Sequence, residues 1–201
     1  MRLAALRMIY RLLAPFYDFI AGPAFSRARV ASLQYLREAA PQDVLLNGIG
    51  TGLDLAYLPK THRYAALDLT HAMLERALPR GHGFDITWTQ GDSQVLPFRD
   101  ATFDSAVLHL IVAVVSRPQR ALQEAARVVK PGGTLLLFDK FLAPGAKAPL
   151  RRLLSPLASR IATNTDVVFE SLLADVPQLR VVSDEPALAR GWFRRIRLEK
   201  R

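Results

Sequence analysis

Val44-Leu45-Leu46-Asn47-Gly48-Ile49-Gly50-Thr51-Gly52 is the stretch on which the fold turns. A short apolar run, long enough for one buried strand, enters a turn with glycine at every second position, and an apolar-periodic segment follows. The order predicts strand, glycine-rich turn and helix. Glycines let the backbone approach a ligand closely, and a helix start offers N–H groups that lack helical partners. Tyr64–Asp68 reads as a second strand ending in an acid, and Thr70 is placed to cap a helix from about His71 to Leu78.

The alternation continues outward. Asp85–Gln90 and Phe103–His109 read as the third and fourth strands. A helix from about Pro118 to Val129 carries Leu122, Ala125, Ala126 and Val129 at helical spacing, and Pro131-Gly132-Gly133 stops it. Thr134–Phe138 is a buried fifth strand; Leu179–Val182 and Trp192–Leu198 are the last two, the latter with Arg194, Arg195 and Arg197 among its apolar positions. The pattern predicts a doubly wound α/β sheet of seven mostly parallel strands, only the final one reversed. A ligand then belongs over the strand C-termini, at the switch point.

Residues 1–40 stand outside this alternation, which leaves 41–201 as the α/β domain. Leu3, Leu6, Ile9, Leu12 and Leu13 share one helical face with Arg7 and Arg11 beside it; Pro15 and Gly22-Pro23 separate this segment from a second helix, Ser26 to about Ala39. The segment reads as a helical extension packed on the sheet or as a mobile amphipathic lid, residues 1–25, docking on anionic lipid.

Composition sets the outer limits. The chain has 201 residues, half of them hydrophobic and 22% charged, enough for one domain with a real core. It has no cysteine, so disulfides, thiolate metal sites and a cysteine nucleophile are excluded, and no metal site is expected. No apolar run approaches the ~20 residues of a membrane-spanning helix. Arg7 and Arg11 argue against a signal peptide, and the expected location is cytoplasmic. Residues 41–140 balance ten basic against ten acidic side chains, whereas 1–40 hold six against two and 141–201 eleven against six. The basic excess at both ends suits an anionic membrane surface, a nucleic acid or simply a solvated exterior.

Asp68 lies twenty residues beyond Gly48 and is placed to accept hydrogen bonds from a ribose diol. A nicotinamide dinucleotide and S-adenosylmethionine both carry that diol. The dinucleotide turn is Gly-x-Gly-x-x-Gly, and residue 53 is Leu, so the spacing favours a ligand without a pyrophosphate.

Four segments in order resemble the class I S-adenosylmethionine-dependent methyltransferases: Val44 through Gly52; Ala66-Leu67-Asp68-Leu69-Thr70 with Met73-Leu74; Gly91-Asp92-Ser93-Gln94-Val95-Leu96-Pro97-Phe98; and Phe103-Asp104 through Arg127 to Gly133. The resemblance covers roughly residues 10–141. It implies S-adenosylmethionine as cofactor, with Gly48, Gly50 and Gly52 facing its methionine part. By the same resemblance Asp68 holds the ribose hydroxyls, Leu69 lies along the adenine, and Asp92 and Ser93 bind the adenine edge. Tyr10 and Asn47 join the cofactor set, and His109 and Leu110 sit beside the activated methyl group. Asp104 and Pro131 through Gly133 are expected to be structural.

One departure stands out. The family usually has an acid two residues before the first glycine, where it meets the cofactor's amino group; here that residue is Leu46. Asn47, Asp54 or another polar group must compensate, or binding weakens. A non-catalytic S-adenosylmethionine-binding module is the reading that follows if nothing compensates.

The acceptor is read from the ends of the chain. Tyr10, Ala14-Pro15, Tyr17-Asp18 and Gly22-Pro23 resemble the N-terminal segment of bacterial phosphatidylethanolamine N-methyltransferases and of related quinone C-methyltransferases. Ser116-Arg117 before Pro118, and Asp139-Lys140-Phe141, depart from that pattern. A phosphoethanolamine headgroup calls for aromatic faces around its nitrogen (Tyr10, Tyr17) and cations for its phosphate (Lys140, Lys147, Arg151, Arg152). A buried amine must also lose a proton, for which Tyr17, His109, Asp18 and Asp139 are candidates. The alternative acceptor is a quinone or other apolar small molecule. His109-Leu110-Ile111-Val112 stands where a nucleic-acid methyltransferase carries its Asn/Asp-Pro-Pro-Tyr tetrad, so no nucleic-acid partner is expected.

Overall fold

The computed structural model describes residues 25–142 and 167–201. Seven strands form one sheet: β1 (Asp43–Asn47), β2 (Arg63–Asp68), β3 (Asp85–Gln90), β4 (Phe103–His109), β5 (Val129–Lys140), β6 (Leu179–Leu188) and β7 (Phe193–Lys200). Their order across the sheet is β3-β2-β1-β4-β5-β7-β6. Every pairing from β3 to β5 is parallel, and β7 runs antiparallel to both its neighbours. The chain steps outward from β1 to β3 and returns beside β1 as β4, which opens a crevice at the C-terminal ends of those two strands.

Alternating strand residues divide the core into two layers. Leu45, Leu67, Leu108, Leu135 and Leu137 pack beneath α3 (Pro118–Val128) and α4 (Phe169–Ala174). On the other face Val44, Leu46, Ala66, Val107 and Leu136 meet Leu33 and Leu36 of α1 (residues 25–38) and Leu74 of α2 (His71–Ala77). Helix α1 is thus packed on the sheet. Its Phe25 ring also lies against Phe138 and Phe193.

Several elements differ from the expected ones. The segment after the glycine turn is a five-residue 3-10 turn, Leu53–Tyr57, rather than a helix. Pro59 explains this: it forces Leu58 to an extended backbone, φ −86° and ψ 144°, so no helix can propagate. Thr70 precedes α2 without capping it through its side chain. β5 begins at Val129, before the Pro131–Gly133 break, because a register shift between Phe103 and Ser105 absorbs the extra residues. β6 extends to Leu188 through a stretch too acidic to read as a strand. Asp184 and Glu185 there pair with Arg194 and Arg195 of β7, and Pro186 is tolerated on an edge strand.

Candidate active site

The β1 turn is built backbone first. Gly48 and Ile49 both donate their N–H to the carbonyl of Leu67, at 2.8 and 3.0 Å, which clamps the turn to the end of β2. Gly48 has φ +75°, and a Cβ there would stand 2.7 Å from Ile111, so the β4 loop closes against a bare backbone. Gly50 has φ +58°, and the space its Cβ would take is empty for 4 Å. Gly52 is turned the other way, against Ala77 and Leu55; it packs the 3-10 turn onto α2 and does not line the cleft.

Asp68 closes the other side of this turn. Its Oδ2 accepts the Gly50 N–H at 2.9 Å, and its Oδ1 accepts the Thr70 N–H at 3.0 Å and hydroxyl at 3.2 Å. The Thr70 hydroxyl therefore orients the carboxylate instead of capping α2. Burial pushes the Asp68 carboxyl up, and the bonds from Thr70 and Gly50 oppose the shift. Leu69 and Met73 follow along the same wall, and Asp92 and Ser93 lie across it.

The β4 end carries the charges. His109 lines the cleft with both ring nitrogens engaged: Nδ1 is 2.9 Å from Asp54 Oδ1, and Nε2 is 2.9 Å from the Ser32 hydroxyl of α1. Arg29, also from α1, donates to the same Asp54 oxygen at 2.5 Å. Burial raises the Asp54 carboxyl, but the charges and hydrogen bonds of His109 and Arg29 outweigh it and hold the group far below the usual carboxylate range. Because Asp54 stays ionised, His109 presents Nδ1–H to it, and Nε2 is left to accept the Ser32 O–H. Leu110 follows with φ +56°, its N–H held by the Phe138 carbonyl at 2.7 Å.

A second network braces the opposite lip. Asp92 accepts the N–H and the side-chain amide of Gln94, whose carbonyl oxygen accepts the Ser116 hydroxyl and the Arg117 N–H at 2.9 and 3.0 Å. The Ser93 hydroxyl donates to Asn47 Oδ1 at 2.6 Å; Asn47 is buried behind the wall and does not line the cleft. Its Nδ2 finds no hydrogen-bond partner among the described residues.

The cleft thus gathers Gly48, Gly50, Asp68, Leu69, Asp92, Ser93, His109 and Leu110 of the expected set, and leaves Gly52 and Asn47 behind it. Asp139, an expected proton acceptor, is not on the cleft surface. Its carboxylate is 1% exposed and accepts the N–H groups of Ala113 at 3.0 Å and Lys140 at 2.8 Å. It anchors the loop after β4, and burial pushes its carboxyl up to about 6 against its backbone bonds and the neighbouring Lys140 charge. Lys140 is half-buried at the end of β5, away from the cleft lining. Asp104 holds the Asp43 N–H and Lys130 at the far end of β4, in a structural role. Tyr10, Tyr17, Lys147, Arg151 and Arg152 lie outside the described residues.

Sequence reasoning missed Arg29, Ser32 and Gln94. Nothing local marks them: two sit on a helix read as separate from the domain, and Gln94 reads as a loop residue.

The lining suits a nucleoside joined to an amino acid. The empty Cβ space at Gly50 leaves room against the backbone, Asp68 can accept ribose hydroxyls, Leu69 and Met73 offer an apolar slot, and Arg29 with Asp54 supplies opposite charges.

Comparisons with known proteins agree. A family model described as a methyltransferase domain matches residues 45–137. A phosphatidylethanolamine N-methyltransferase of Cereibacter sphaeroides is 30% identical over 190 residues, 92% of this chain and 93% of its own length. A ubiquinone/menaquinone biosynthesis C-methyltransferase of Ruegeria sp. is 36% identical over 116 residues, 54% of this chain and 46% of its own. Among solved structures, the S-adenosylmethionine-dependent methyltransferase of Mesorhizobium loti matches with TM-score 0.68 at 19% identity, covering 90% of this chain and 99% of that one. The cyclase SpnF matches at 0.76 and 17%, over 96% and 94%. At these identities the structural matches speak for the fold.

Proposed function

The chain belongs to the class I S-adenosylmethionine-dependent methyltransferases, and on that footing we propose that it N-methylates a phospholipid headgroup such as phosphatidylethanolamine at the membrane surface. The observation that carries this reading is the end-to-end match to the Cereibacter sphaeroides enzyme, where the quinone C-methyltransferase aligns over only about half of each chain.

S-adenosylmethionine, when bound, supplies a methyl group on a positively charged sulfur. What the chain itself contributes is alignment and a dry site. Asp68, pre-set by Gly50 and Thr70, accepts the ribose hydroxyls, and the Asp92–Gln94–Ser116 network holds the adenine side of the lip in register with the β4 loop. Gly48 lets Ile111 seat directly on the turn, which closes the wall behind the reacting atoms to water.

An amine acceptor releases one proton for each methyl it gains. His109 is the described group fitted to take it. Asp54 fixes its Nδ1–H, which leaves Nε2, now accepting the Ser32 O–H, as the ring nitrogen able to take a proton. Tyr10 or Tyr17 would face the methylated nitrogen, and Arg151 and Arg152 the phosphate; Lys140, off the cleft lining, is not needed for it. The membrane is the second half of the proposal. Arg2, Arg7 and Arg11 in the first 25 residues would each add about 1 kcal/mol near an anionic surface, enough with a few leucines for reversible attachment. No helix among the described residues is long and apolar enough to cross a membrane.

Expression in a host that makes phosphatidylethanolamine but no phosphatidylcholine tests the reading. Thin-layer analysis should show new mono-, di- or trimethylated phosphatidylethanolamine; an unchanged lipid pattern beside well-expressed protein would remove it. A quinone acceptor is the second reading, favoured by the higher local identity and by the apolar run Leu110, Ile111, Val114 and Val115 along the cleft.

A further inference from the structure

The position that usually carries an acid before the glycine turn is Leu46, and the structure shows how completely that position has been given up. Leu46 is 1% exposed and packs in the apolar layer with Val44, Leu55 and Leu136. Its neighbour Asn47 does not take over, since its amide is turned to Ser93 behind the cleft wall. A buried charge pair stands on the other side of the turn instead. Asp54 and Arg29 have side chains 7% and 6% exposed, and both line the cleft.

We propose that this pair binds the amino-acid end of the cofactor: the Asp54 carboxylate receives the α-ammonium and the Arg29 guanidinium receives the α-carboxylate. The hydrogen bonds on Asp54 support this. Arg29 and His109 both reach Oδ1, while Oδ2 carries no hydrogen bond among the described residues. Asp54 lines the cleft, so this second oxygen can take an arriving ammonium in a charge-assisted bond without giving up Arg29 or His109. Arg29 has five N–H donors in a planar fork, so it can hold Asp54 and still meet a second carboxylate. A zwitterion suits such a pair better than either charge alone, because both local charges are matched and the net charge of the cleft is unchanged. The acid lost from the strand is thereby replaced by one from the 3-10 turn, locked in place by a helix that precedes the α/β alternation. The proposal rests on S-adenosylmethionine as the cofactor and is independent of the acceptor.

Calorimetry with product analogues tests it without turnover. S-adenosylhomocysteine, its deamino analogue, its decarboxylated analogue and 5′-methylthioadenosine are titrated into wild type, Asp54→Asn and Arg29→Gln. In wild type, removal of the amino group or of the carboxylate should each weaken binding about ten- to a hundred-fold. Asp54→Asn should lose a similar factor for S-adenosylhomocysteine and nothing for 5′-methylthioadenosine or the deamino analogue. Arg29→Gln should behave likewise toward the decarboxylated analogue. Equal weakening of all four ligands would assign the pair a structural role and overturn the proposal. The wild-type series decides the matter if a variant fails to fold: four equal affinities there also refute the clamp. Failure of every ligand to bind wild type would instead remove the cofactor assignment itself.

Discussion

At the β1 end of the cleft the buried carboxylate of Asp54 faces the Arg29 guanidinium and the His109 ring N–H, whereas at the β5 end that of Asp139 faces backbone N–H groups. Both are almost inaccessible, at 5% and 1%. The first is held ionised far below the usual range, and the second is pushed up to about 6. At Asp139 burial prevails over the backbone donors and the neighbouring Lys140 charge; at Asp54 the Arg29 and His109 contacts overcome burial. The difference separates two tasks. A charge kept ionised beside the cleft is suited to meet a charged ligand, and one tied to the backbone is suited to anchor a loop.

The comparison breaks most visibly if Asp54 is removed. Asp54→Leu strands Arg29 without its counter-charge and the His109 N–H without its acceptor, and should cost roughly 3–5 kcal/mol in urea unfolding. The double variant Arg29→Met/Asp54→Leu should recover much of that, because the cation goes with the anion. If the single variant unfolds like wild type, the pair is not the buried unit described here.

Asp68 lies between the two extremes, with backbone and hydroxyl donors but open to the cleft. Asp68→Ala removes two ribose hydrogen bonds and should weaken S-adenosylhomocysteine binding by roughly 2–3 kcal/mol. An unchanged affinity would place the nucleoside elsewhere.

The Asp139 end is sharpened by pH. Its folded value, about 6, lies above the unfolded value near 3.9, so its contribution is fully present at low pH and is lost as pH rises through 6. Wild type should therefore lose about 1–3 kcal/mol relative to Asp139→Asn between pH 4 and pH 7.5, read from urea midpoints at both values. A difference that does not move with pH would show that Asp139 is not held as described.

Much of this was legible in the chain because local signals and tertiary roles coincide. Gly48 and Gly50 sit where a turn must come close to a ligand, Asp68 ends a short apolar run that reads as a strand, and β3 and β4 match their expected bounds. The rest depends on long-range contacts. Asp54 meets His109 across 55 residues and Arg29 across 25, and no periodicity announces either pairing. Helix α1 read as an appendage because it precedes the strand–helix alternation, yet it delivers Arg29 and Ser32 to the site. Asp139 departs from the expected role for a related reason. An acid at a strand end suggests chemistry, and only the packing shows that two backbone N–H groups already occupy it. Gly52 resembles the other two glycines in sequence, yet its bare face serves α2.

The most direct measurement is methyl transfer by the purified full chain from labelled S-adenosylmethionine to mixed vesicles. The vesicles contain phosphatidylethanolamine, an anionic phospholipid and a demethylated quinol together. Label should appear in the phosphatidylethanolamine fraction, falling as salt is raised and falling further when the anionic lipid is left out. Label confined to the quinol, with phosphatidylethanolamine unmodified, would contradict it.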